Sequence, residues 1–148
     1  MRRNQMGDKE PTIVAILCNW CTFTAADLAG TARLPYPANV KIVRVMCSGM
    51  VDPKYIVKAF LEGADGVFLG GCWPGDCHYI NGNLKARKRV ALLTEVLRQF
   101  GIDEQRFMLR WVAASEGNMF QEIMAEMTEK LQELGPSPLR PEASRKFA

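Results

Sequence analysis

With 148 residues, 48% of them hydrophobic and 24% charged, the chain has the bulk for one domain with a real core and too little for two. A net charge of +3 is too small to point to nucleic acid or to an anionic membrane surface, and charges interrupt the apolar runs too often for a membrane-spanning helix. The five cysteines are an odd number, and no apolar stretch follows the basic N-terminus, which argues against export and a disulfide framework and for the cytoplasm.

Residues 1–11 read as a flexible lead. Thr12 to Leu17 is a continuous apolar, β-branched run, suited to a strand buried on both faces of a parallel sheet. It runs into Cys18-Asn19-Trp20-Cys21. Thr24, with Asp27 three residues on, has the spacing of a capping box and predicts a short helix towards Ala32. Val40 to Met46 reads as a second strand and ends in Cys47-Ser48-Gly49. Asp52-Pro53 is a strong helix start, and Gly63 a stop; Tyr55, Ile56, Ala59 and Phe60 are expected on the buried face.

Gly66 to Leu69 is the third strand. It drives into Gly70-Gly71-Cys72-Trp73-Pro74-Gly75-Asp76-Cys77-His78, where glycine and proline shape the backbone by φ constraints. Asn81 or Asn83 opens a long helix with Leu84, Val90, Leu93, Val96, Leu97 and Phe100 as its apolar positions, and Gly101 ends it. Arg106 to Val112 is a fourth strand. Ser115 is the expected cap of a last helix whose stripe is Phe120, Ile123, Met124, Met127, Leu131 and Leu134, closed by Gly135. Residues 136–148 read as a proline-containing tail, available to a partner. The order βαβαβαβα predicts one doubly wound α/β domain over residues 12–135, flavodoxin- or Rossmann-like, with a four-stranded parallel sheet and helices on both faces.

Cys18 and Cys21 follow the first strand, Cys47 the second, Cys72 and Cys77 the third. Parallel strands end on one rim of the sheet, the rim where open α/β sheets bind ligands. Burial as small hydrophobes would explain one or two thiols there and not five. Three chemistries fit better: an iron–sulfur cluster on four thiolates, a structural zinc on four cysteines serving an interaction module, or a thiol–disulfide enzyme using Cys18 and Cys21 as a C-x-x-C pair. The third leaves Cys47, Cys72 and Cys77 without a role. His78 directly follows Cys77, so it is poorly placed to be a general base for it. Glycine signatures for dinucleotides and phosphate loops are missing. Lys85, Arg87, Lys88 and Arg89 form either a solvated face or a docking patch, and Trp20 and Trp73 either shield the rim or pack in an interface.

The stretches Cys18-Asn19-Trp20-Cys21, Val45-Met46-Cys47-Ser48-Gly49, Gly70 to Tyr79 with Asn81-Gly82-Asn83, and Ala114-Ser115-Glu116-Gly117 resemble the delta subunit family of methyl-viologen-reducing hydrogenase, an iron–sulfur protein of anaerobes. The resemblance implies a [2Fe–2S] cluster in a protein that does no bond chemistry itself. It further implies electron relay from a nickel–iron hydrogenase or a formate dehydrogenase to the flavin subunit of heterodisulfide reductase, within the electron-bifurcating complex of methanogenesis. Such a cluster takes four ligands. Cys21, Cys47, Cys72 and Cys77 are the expected set, with Cys18, the last residue of its strand, as the alternative to Cys21.

Overall fold

The computed structural model describes residues 10–140. Its four strands are β1 (Ile13–Cys18), β2 (Val40–Val45), β3 (Gly66–Gly71) and β4 (Phe107–Trp111); its helices are α1 (Thr22–Thr31), α2 (Pro53–Leu61), α3 (Gly82–Gln99) and α4 (Gly117–Leu134). The strands form one parallel sheet in the order β2-β1-β3-β4, the doubly wound topology expected from the alternation of strand and helix. β1 and β3 are central, which explains why both read as unbroken apolar or glycine runs. β2 lies on an edge, and Lys41, Ile42, Val43 and Arg44 are all exposed.

Two apolar layers flank the sheet. On one face Ile13, Leu17 and Phe68 meet Ala25 and Ala29 of α1 and Phe120 and Met124 of α4. On the other, Ile16, Val67 and Leu69 meet Ile56 and Phe60 of α2 and Leu93 and Leu97 of α3. Among the described residues, no helix is long and apolar enough to cross a membrane.

The helix ends depart from expectation where a polar group is claimed by a loop. Asp52 caps α2 as expected, accepting from the Lys54 amide at 2.9 Å, with Pro53 in the first turn. Thr24 is not a cap: α1 begins at Thr22, and the Thr24 hydroxyl donates to the Asn19 carbonyl. Ser115 is not a cap either; Glu116 holds the position before α4. In α3, Ala86, Leu93 and Leu97 form the buried line, so Leu84, two residues before Ala86, turns to the opposite side and is exposed. Tyr55 of α2 and Phe100 after α3 are also exposed rather than buried.

At the N-terminal end of the sheet, Asp65 is 2% exposed. Its carboxylate accepts from the amides of Thr12 and Ser137 and pairs with Arg140 at 3.5 Å. Arg106, also buried, donates to the carbonyls of Asp65, Gly135 and Pro136. Residues 136–140, read from sequence as the start of a tail free for a partner, are thus tied to the domain itself. The rest of that tail, and residues 1–9 of the lead, lie outside the described residues.

Candidate metal centre

The register brings the ends of β1, β2 and β3 level: Cys18 pairs with Val45, and Leu17 with Gly70. The chain order reverses between β1 and β3, so their loops part and leave the crevice typical of a topological switch point. The sulfurs of Cys18, Cys21 and Cys72 converge in it and lie within 4.8 Å of one another. Cys21 and Cys72 are 3.0 Å apart, Cys18 and Cys72 3.8 Å. All three are buried. Half-buried Cys77 packs against this group.

Cys47 reaches the site from β2. It is buried, and its sulfur accepts from the Gly49 amide at 3.3 Å. Gly82, at the start of α3, is the floor beneath the remaining pair. A Cβ there would overlap the Cys47 sulfur and lie 3.4 Å from that of Cys77, and a Cβ on Gly49 would strike the Gly82 backbone. The close approach of these two glycines makes room for the sulfurs. All five thiols expected at this rim are on it: three in direct contact, with Cys47 and Cys77 meeting over Gly82. Cys18 is the last residue of β1, as expected, yet its sulfur faces Cys72 rather than the core.

The neighbouring thiols set one another's protonation. The adjoining Cys21 thiol, aided by the amides of Trp20 and Ser48, pushes Cys18 down to about 6 against the opposing effect of burial. Cys21 is pushed far up by Cys18 and by burial. Burial raises Cys72 to about 11 and also raises Cys47. One thiolate therefore suppresses ionisation of its neighbours. A bound cation would remove that conflict and let the sulfurs ionise together. An all-sulfur donor set, amides directed at sulfur and a floor cleared of side chains fit an iron–sulfur or zinc centre.

Two tryptophans brace the loops. Trp20 stacks on His78 at 3.9 Å between centroids and 11° between planes, joining the first cysteine loop to the third. Its indole donates to the Tyr79 hydroxyl at 3.4 Å. Trp73 donates to Glu116 at 2.6 Å, and Glu116 also accepts from the Ala113 amide. Both tryptophans remain partly exposed. Sequence reasoning missed Asn83, whose side chain donates to the carbonyls of Cys72 and Trp73. The Asn81-Gly82-Asn83 run was the available signal, but it reads first as a helix start. Of the basic run, Arg89 donates to the carbonyls of Gly49 and Val51, and Lys85, Arg87, Lys88 and Arg89 are all exposed. An open cavity of about 360 Å³ lies beside Cys47, lined also by Met46, Met50, Tyr79 and Lys85.

Residues 13–135 match the family described as methyl-viologen-reducing hydrogenase, delta subunit. The chain is 51% identical over 131 residues to the iron–sulfur subunit of the vhc F420-non-reducing hydrogenase of Methanococcus voltae, covering 88% of this chain and 91% of that one. It is 53% identical over 127 residues to the iron–sulfur subunit of the F420-non-reducing hydrogenase of Archaeoglobus profundus, covering 86% and 93%. A third relative is far longer. It is one of the subunits of the ferredoxin/F420H2-dependent CoB-CoM heterodisulfide reductase of Methanosarcina acetivorans. The match is 44% identical over 126 residues, which cover 85% of this chain but 16% of that one. The chain belongs to the family of methyl-viologen-reducing hydrogenase delta subunits.

Proposed function

We propose that this protein is a cytoplasmic electron-relay subunit that holds one [2Fe–2S] cluster. It takes electrons from a nickel–iron hydrogenase or a formate dehydrogenase and delivers them to the flavin-bearing subunit of a heterodisulfide reductase, in the energy metabolism of a methanogen-like anaerobe. The observation that carries this reading is the meeting of Cys18, Cys21 and Cys72 within 4.8 Å at the switch point. The relatives named as iron–sulfur subunits of hydrogenases support the cofactor and the donor. The longer relative, which contains a similar stretch within a heterodisulfide reductase, supports the acceptor.

Four of the five thiols would hold the cluster. Cys72 touches both Cys18 and Cys21, so Cys18 has as good a geometric claim as Cys21, which sequence alone favoured; Cys47 and Cys77 complete the choice. The cluster, when bound, supplies a reversible one-electron centre. The chain's own residues present sulfur, direct the amides of Trp20, Ser48 and Gly49 at it, and brace the loops through Trp20, Trp73 and Asn83. Hydrogen bonds to sulfur and solvent exposure are the levers on its potential. Anaerobic purification followed by iron and acid-labile sulfide analysis tests the reading. Iron and sulfide in equal amounts are expected; zinc without sulfide would sink it and leave the zinc-stabilised interaction module.

A further inference from the structure

Ile80 has φ +72°, in the left-handed region that β-branched residues avoid. Its amide bonds to the Cys77 carbonyl at 3.0 Å, and the Asn81 amide to the Tyr79 carbonyl at 2.9 Å, closing the turn from the cysteine loop into α3. Glycine or asparagine would make this turn with less strain. The side chain is 85% exposed, so packing within the domain returns almost nothing for the strain.

The surroundings show what could. Tyr79 and Asn81, on either side of Ile80, both line the open cavity beside Cys47, together with Met46 and Met50. Met46, Met50 and Tyr79 are each about half exposed. A strained apolar knob next to an apolar hollow is the anatomy of an interface core rather than of a solvated rim. Lys85 lines the hollow, and Lys88 follows on α3. Both are exposed, and neither is in an ion pair among the described residues.

We propose that Ile80 anchors a docking surface that seats the flavin-bearing partner against the Cys47 side of the metal centre. The partner's complementary face is an apolar pocket for Ile80 rimmed by carboxylates for Lys85 and Lys88. This rests on the electron-relay reading, because tunnelling falls steeply with distance and the hollow gives access to a sulfur. Burial in the partner recovers what Ile80 costs the free protein.

The test uses the full chain and its assembly. Ile80→Gly should raise the melting temperature of the isolated protein by about 2–4 °C, leave its iron content unchanged and weaken binding of the flavin-bearing partner by about tenfold or more. Lys85→Glu with Lys88→Glu should weaken the same binding and reduce its salt dependence. Unchanged partner affinity in Ile80→Gly overturns the proposal. So does a fall in melting temperature with loss of iron, which would give Ile80 to the fold. Weakened binding in a chain whose wild type carries no cluster would keep the docking surface and remove the relay.

Discussion

The sulfurs of Cys21 and Cys72 lie 3.0 Å apart although 51 residues separate them in the chain. One follows β1 and the other β3, the two central strands, so their meeting is a product of topology and not of a local motif. Cys72 also touches Cys18, so it ties the β3 loop to both thiols that follow β1. Cys72→Ser is expected to remove most of the bound iron, measured against wild type after anaerobic reconstitution. It would leave a disulfide exchange activity of Cys18 and Cys21 intact, so iron retained with such activity present would favour a thiol–disulfide enzyme.

Gly82 should tolerate no side chain. Ala at this position brings a Cβ into the Cys47 sulfur and crowds Cys77. Overpacking of this kind typically costs about 1–3 kcal/mol. Gly82→Ala should therefore lower the denaturant midpoint and, more tellingly, the iron retained per chain. A stability loss with full iron content would show that Cys47 and Cys77 lie outside the ligand set.

The metal-free protein should show an optimum in its pH stability. Cys18 has a lowered folded pKa, about 6, so the unfolded chain binds its proton more tightly. Its contribution is present above the ordinary thiol range near 9 and is lost as pH falls through 6. Cys72 has the opposite sign: raised to about 11, it contributes below 9, and that contribution is lost as pH climbs towards 11. Thermal melts of the reduced apoprotein should peak at about pH 9, with Cys18→Ser flattening the acid limb. A flat profile in wild type would contradict the thiol electrostatics.

The polar latch at the far end of the sheet should act on stability and not on the centre. Asp65→Asn leaves Arg140 buried without its carboxylate while the Arg106 bond to the Asp65 backbone carbonyl is kept, a change of a class that costs about 3–5 kcal/mol. The melting temperature should fall while the visible spectrum of the loaded protein stays the same. A spectral change would mean that the two ends of the sheet are coupled.

The strands and their cysteines were legible because parallel packing writes itself into sequence. β1 and β3 are buried on both faces, so they lack the polar alternation of an edge strand, and each ends at its thiols. Asp52-Pro53 was legible for a local reason, since cap and first turn are neighbours. Thr24 and Ser115 misled because a cap requires a free helix end. Asn19 takes the Thr24 hydroxyl, and the position before α4 goes to Glu116, which also accepts from Trp73. Cys18 was harder still. Its place at a strand end follows from the pattern, but the direction of its sulfur depends on the β3 loop that meets it. Asn83 and Gly82 act through contacts far away in the chain, and no local rule announces those.

Native mass spectrometry of the anaerobically purified chain tests the central claim most directly. The expected species is heavier than the polypeptide by two iron and two sulfide, and it is lost on replacing Cys72 by Ser. A wild-type species carrying one zinc, or no inorganic sulfur under strict anaerobiosis, would contradict the presence of a [2Fe–2S] cluster.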